Sequence, residues 1–402
     1  MTSHPKCTDP LLPKGRSAEK RKRPVLCCRL KLAVAGIVAL AASTAILLLF
    51  CVYLPNVYIP QGRELIVIQK VKDAGVKLRT VDHEVVQNWG FDQRKDAEDE
   101  DAESLLDEQN GVLSRFSARG AYNRALGKYK NRHILIGDIH GQSQELRELL
   151  RKIKYNKAHD NLVVLGDFIS KGRDSIGVLE ELIAANAQCV IGNHEYDVLR
   201  YYTHFHRLKD PQFVNAKGDK THSVASKGKE LKPEFQLARK LQPNHIKYIN
   251  SCAVMYKLGK VPVHSKNTDS SYTTGQGVAV HAGLQWDLTA DLDGQDSLLC
   301  ISMRSYLGPF YNETTDDPSE HNAVSWSKIW NKKHKNGDVD DKYVVYYGHD
   351  ARRGLKLKQW SKGLDTGCVK GNHLTAMVIW KEKTAQGALY RERVVLVSCA
   401  VP

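Results

Sequence analysis

The sequence carries no internal repeat of solenoid type, which excludes a stacked-repeat architecture. Its nine cysteines show no repeated short spacing, so a closed thiolate zinc module is excluded too. Five of them, Cys189, Cys252, Cys300, Cys368 and Cys399, lie in the long C-terminal part. They are odd in number, so at least one stays unpaired among themselves; one disulfide is expected, and none can be assigned. Acidic residues are in deficit, 45 Asp and Glu against 59 Lys and Arg, for a net charge of +14. Such a surplus points to an anionic partner: nucleic acid, anionic lipid or a highly phosphorylated substrate.

Apolar runs of membrane-spanning length are reduced to one, residues 32–54. At about 1.5 Å per residue it crosses a hydrocarbon core of roughly 30 Å with slight tilt. The eight Lys and Arg from Lys14 to Lys31 precede it, and this long basic preface favours a retained transmembrane helix over a cleaved signal peptide. The amino terminus is then cytosolic and the remainder of the chain lumenal. Cys27 and Cys28 sit at the cytosolic edge as palmitoylation candidates. The sequon Asn312-Glu313-Thr314 fits a glycosylated surface loop on the far side.

Residues 1–31 read as a basic disordered tail, and 55–127 as a stalk whose block Asp96–Glu103 is too acidic to fold on itself. From residue 128 to 402 the pattern becomes that of a catalytic domain. Short β-branched or aromatic runs, His133–Ile136, Leu162–Leu165, Cys189–Ile191, Val278–Val280 and Tyr343–Tyr347, have the length of buried strands. Between the first two, Leu146, Leu149, Leu150 and Ile153 recur at helical spacing; Leu179, Leu182 and Ile183 do so next. The alternation predicts an α/β domain whose central sheet is covered on both faces. Thr375–Trp380 and Arg393–Ser398 have no helix between them, so the sheet should be mixed, ending in antiparallel strands. Residues 217–232 are polar and read as a loop.

Each of the five early strands runs into a polar cluster: Gly137-Asp-Ile-His-Gly141, Gly166-Asp-Phe-Ile-Ser-Lys-Gly172, Gly192-Asn-His-Glu195, His281-Ala-Gly283 and Gly348-His-Asp350. One such cluster is usually a turn or a helix cap; five in succession are not. Two divalent ions about 3.5–4 Å apart need a shared carboxylate, with imidazole and amide ligands that leave water positions open. Asp138 and His140 suit one ion, Asp167 the bridge, and Asn193, His281 and His349 the other.

These clusters resemble the calcineurin-like metallophosphatases within the phosphoprotein phosphatase lineage, over about residues 132–398. The resemblance implies an α/β, calcineurin-like β-sandwich of mixed sheets flanked by helices, here preceded by one transmembrane helix. It implies Asp138, His140 and Asp167 on one metal and Asp167, Asn193, His281 and His349 on the other. His194 matches the general acid, and the implied chemistry is attack by a metal-bridging hydroxide without a phosphoenzyme. Protein phosphatases of this lineage carry Asp-Arg where this sequence has Ser170-Lys171. The carboxylate that orients the acid histidine and the arginine fork are both missing from that position, which leaves Lys171 as a point charge.

The segments Gly348–Leu355, Gly363–Val369 and Leu374–Ala376 resemble the ApaH-like branch, whose fungal vacuolar members cleave inorganic polyphosphate. That implies phosphoanhydride hydrolysis, a polyanionic substrate and no nucleic-acid partner. Zinc is the first-choice metal, with manganese, cobalt or iron accepted by the same donors. After Gly127 the chain still carries about ten more basic than acidic residues, which fits a polyanion. Arg304, Arg352 and Arg353 are the candidate phosphate contacts, one of them equally suited to a structural ion pair. The alternatives are a dinucleoside polyphosphate hydrolase, a protein serine/threonine phosphatase, and an inactive membrane-anchored binding module.

Overall fold

The computed structural model describes residues 25–53, 66–90, 129–221, 233–263, 273–385 and 387–400, with side chains from 33 onward. The basic tail before residue 25, the side chains of Cys27 and Cys28, the acidic block and residues 222–232 of the polar loop lie outside that description.

The first unit, Met1–Val57, contains a helix over Val25–Leu48 that continues as a π-helix over Leu49–Tyr53. Its 21-residue stretch Ala33–Tyr53 is apolar and exposed along its length, a candidate membrane span by length and composition.

The second unit, Tyr58–Pro402, is built on two sheets. One runs Gly387–Ser398, His373–Thr384, Arg132–Ile136, Asp160–Val164 and Gln188–Cys189, with Thr80–Val81 added beside His373–Thr384. The other runs Lys356–Leu357, Ser361–Gly363, Tyr343–Tyr347, Thr274–Val280, Ala253–Pro262, Val67–Asp73 and Gln212–Val214. Strand residues point alternately to opposite faces, and the register shows which face is which. Met377, Leu135 and Val163 are aligned across the first sheet, and Tyr256, Ala279 and Tyr346 across the second. All six belong to one core cluster, the layer between the sheets. Their neighbours Ile134, Ile136, Leu162 and Val164 instead face Leu146, Leu149, Leu179 and Leu182 of the helices Ser143–Lys152 and Ser175–Ala185. The sandwich with helical flanks therefore follows from period-two strands and period-3.6 helices.

Two expectations are corrected. Residues 66–90 are not stalk: Val67–Asp73 is an inner strand, parallel to both Gln212–Val214 and Ala253–Pro262. Its inward series is Ile66, Ile68 and Lys70, all buried, with the Lys70 ammonium donating to the Asp293 carbonyl. A lysine at the third inward position breaks the apolar alternation that would announce a strand. Second, the described residues hold two disulfides. Cys189–Cys252 joins one sheet to the other where Ile191 N donates to Ala253 O at 2.8 Å, and Cys368–Cys399 ties a 3-10 turn to the C-terminal segment. Cys300 is free and buried.

Candidate metal centre

The strands Arg132–Ile136, Asp160–Val164 and Gln188–Cys189 are mutually parallel, as are Thr274–Val280 and Tyr343–Tyr347. The five polar clusters that follow them therefore emerge along the rims of the two sheets, three from one and two from the other. The carboxyl ends of parallel strands are where an α/β fold places its ligands.

Tight turns bring the donors inward. His140, Asp167 and His349 have φ of 48°, 48° and 68°, a left-handed conformation that costs roughly 1–3 kcal/mol for a non-glycine residue. Hydrogen bonds hold them: His140 N donates to Asp167 O at 2.9 Å, and Asp167 N to Glu195 Oε2 at 2.8 Å. Glu195 is fully buried and also accepts from Ile169 N and Gly192 N, so it staples two motif turns together. Gly192 and Gly348 are required by close approach, because a β-carbon there would collide with Asp167 Oδ1 and Asp138 Oδ1 respectively.

Asp167 sits between two donor clusters. Its Oδ2 lies 3.7 Å from His140 Nε2 and 3.6 Å from His194 Nε2, while its Oδ1 lies 3.3 Å from His281 Nε2. His281 Nε2 in turn lies 3.1 Å from His349 Nδ1 and 3.3 Å from Asn193 Oδ1. Asp138 Oδ2 is 3.9 Å from His140 Nε2. The six donors expected from the sequence thus meet in one buried place.

The imidazoles are prepared for metal. In each of three, the far nitrogen faces a backbone carbonyl: His140 Nδ1 to Ile169 O, His281 Nδ1 to Leu165 O and His349 Nε2 to Ser302 O, at 3.3, 2.7 and 3.0 Å. Donation there fixes the tautomer and aims the other nitrogen's lone pair into the cluster. Burial, the largest effect, holds His140 at about 3 and His349 well below its ordinary value, so both are neutral donors near pH 7. Burial also works against the Asp167 charge, yet His281, His194 and His140 outweigh it and hold that carboxyl well below the usual range. Asp138 is pushed well up by burial and then by Asp365 and Asp167. Three crowded carboxyls beside three oriented imidazoles and an amide oxygen are a donor set that fits a pair of divalent cations.

A cavity of about 350 Å³ opens over this cluster. Lys171, His194, Arg304 and Arg352 line it, while Arg353 does not. Arg353 is turned to the Asp350 carboxylate, Arg304 O and Ser305 Oγ, and shares the Asp350 carboxylate with Arg304, whose Nη1 lies 3.6 Å from Asp350 Oδ1. Arg304 has a double place: it lines the cavity and donates to His349 O at 2.8 Å. Two charged lining residues were not singled out from the sequence. Asp365 lies in the quoted Gly363–Val369 segment, so its signal was at hand; Lys370 follows in the 3-10 turn after it.

The third missed residue is Glu234, which had no signal. Its Oε1 lies 2.5 Å from His194 Nδ1 and accepts the Ser170 hydroxyl at 2.5 Å. A carboxylate does stand beside His194, then, but it comes from the helix Pro233–Lys240 and not from position 170.

The two-sheet sandwich and its paired donor clusters define a dinuclear metallohydrolase. The calcineurin-like phosphoesterase family model matches residues 132–354, more than half of the chain, and the chain belongs to that family, which binds two divalent metals. A zinc-dependent endopolyphosphatase of Saccharomyces cerevisiae is 29% identical over 257 residues, 61% of this chain and 75% of the yeast protein. A symmetrical bis(5'-nucleosyl)-tetraphosphatase of Wigglesworthia glossinidia brevipalpis is 25% identical over 302 residues, 62% of this chain and 96% of that protein.

Proposed function

We propose that this protein hydrolyses phosphoanhydride bonds of inorganic polyphosphate, cutting within the chain. The observation that carries this choice is the cavity wall. Four cations, Lys171, Arg304, Arg352 and Lys370, line it, and among the described residues no Trp, Tyr or Phe does. A nucleotide substrate would be served by aromatic stacking, whereas a polyanion needs only charge. The tryptophans are engaged elsewhere: Trp326 and Trp330 are core residues, and Trp286 lies under Lys333 with its Nε1 donating to Tyr311 O. The activity of the yeast relative, an endopolyphosphatase, supports the same choice.

In this reading Asp138, His140 and Asp167 hold one ion, and Asp167, Asn193, His281 and His349 the other. Zinc is favoured, as in the yeast relative's name, and the same donors accept manganese, cobalt or iron. When bound, the pair supplies charge neutralisation at phosphorus and activation of water. The chain's own groups do the rest. Lys171, Arg304 and Arg352 hold non-reacting phosphate oxygens. His194, 15% exposed at the cavity, gives its Nε2 proton to the leaving phosphate oxygen as the P–O bond breaks, while a water oxygen takes its place on phosphorus and releases a proton to solvent, from which His194 is reprotonated.

The catalytic domain is placed on the lumenal side of a vacuolar membrane, with residues 33–53 as the single span. Two disulfides support an oxidising compartment, and Asn312 is exposed, as a glycosylation site must be. The test is a gel of polyphosphate chain lengths over time with the purified full chain. Intermediate lengths before monophosphate accumulates are expected; immediate release of monophosphate from otherwise full-length chains contradicts internal cleavage.

A further inference from the structure

We infer that Glu234 is the positioning residue of His194, holding the imidazole ready for proton donation from a helix outside all five motif segments. The inference rests on His194 being the general acid, as proposed above. The Glu234 carboxylate is 2% exposed and accepts two hydrogen bonds on one oxygen, from His194 Nδ1 and Ser170 Oγ, both at 2.5 Å. With Nδ1–H given to a carboxylate, only Nε2 is left to face Asp167 and the cavity. The ligand histidines donate instead to neutral carbonyls. A carboxylate stabilises the imidazolium that must form before the proton leaves, so its placement on His194, and on none of the three ligand histidines' far nitrogens, suits an acid.

Glu234 is itself held. Its neighbour Phe235 packs edge-on against Tyr201 and tilted against Phe205, with ring centroids at 5.5 and 4.8 Å, so Pro233–Lys240 is docked on Asn193–Phe205, the helix that carries His194. Ser170, in a left-handed turn at φ 71°, braces the carboxylate from the other side. The motif position thus supplies a hydroxyl clamp, and the orienting charge comes from a residue 64 positions later.

The test uses two readouts on full-length protein in detergent. The first is the imidazole Nδ1 proton of His194 by NMR in metal-free protein, assigned by its loss in His194→Ala. Glu234→Gln, which keeps the volume, should remove this downfield resonance; its persistence overturns the inference. The second is hydrolysis of p-nitrophenyl phosphate and phenyl phosphate by metal-loaded enzyme. Glu234→Gln should lower kcat on phenyl phosphate by about 10²-fold, with a loss at least about tenfold smaller on p-nitrophenyl phosphate, whose leaving group needs less protonation, and with little change in KM. Equal losses on both substrates overturn it. If His194→Ala itself shows equal losses, the general-acid assignment fails, and the resonance still decides whether Glu234 positions His194.

Discussion

Asp138 Oδ1 accepts the backbone N–H of His349 at 3.0 Å, a hydrogen bond between the first and last motifs across 211 residues of sequence. It joins the rim of one sheet to the rim of the other through a residue that is also a proposed metal ligand. Structure and metal binding can therefore be separated at Asp138.

Asp138→Asn keeps an oxygen acceptor for His349 N–H and removes the charge. The variant should melt within a few degrees of wild type while binding fewer ions per chain and losing at least about 10²-fold in turnover. Metal analysis beside a thermal melt checks this. Gly348→Ala should fail differently, because a β-carbon there meets Asp138 Oδ1 and would displace the bond itself, lowering the melting temperature.

The arginines should divide by role. Arg352→Ala, at the cavity wall, is expected to raise KM for polyphosphate about tenfold at unchanged melting temperature. Arg353→Ala removes the nearer of the two arginine partners of buried Asp350, leaving Arg304 at 3.6 Å, and should destabilise the fold by about 1–3 kcal/mol, measured by denaturant melts.

Disulfide loss is predicted to be costly. Cys189–Cys252 spans a separation of 63 residues and Cys368–Cys399 one of 31. Chain-entropy arguments put each near 4 kcal/mol. Cys252→Ser together with Cys189→Ser should lower unfolding free energy by about 2–4 kcal/mol in non-reducing denaturant melts.

Acid should weaken the sandwich through His133. Burial, the largest effect, lowers this fully buried imidazole from 6.5 to about 4. The unfolded chain then binds the proton more readily, so the contribution is complete above pH 6.5 and is lost as pH falls toward 4, by about 3 kcal/mol. Denaturant melts at pH 7 and 4.5 should show a smaller difference for His133→Gln than for wild type. Subtracting the two proteins removes effects of metal loss common to both.

Much of the site was legible because parallel strands are short apolar runs with their ligands directly after them; Tyr343–Tyr347 followed by His349 is such a case. The sandwich came only through family resemblance, since period-two alternation tells that Leu135 and Ile136 face opposite ways but not what lies beyond each. Val67–Asp73 was hidden by inward-facing Lys70. Glu234 was hidden because its meaning lies in a contact with His194 40 residues away, set by Phe235 packing. The two disulfides bring together cysteines whose sequence spacing carries no pairing signal.

The most direct test of the central claim compares kcat/KM of the purified, metal-loaded full chain on inorganic polyphosphate, diadenosine tetraphosphate and a phosphoserine peptide. A cavity lined by four cations and, among the described residues, by no Trp, Tyr or Phe predicts polyphosphate fastest by at least about tenfold, with activity abolished by chelator and restored by zinc, manganese or cobalt. Faster cleavage of the dinucleotide or the phosphopeptide would contradict it.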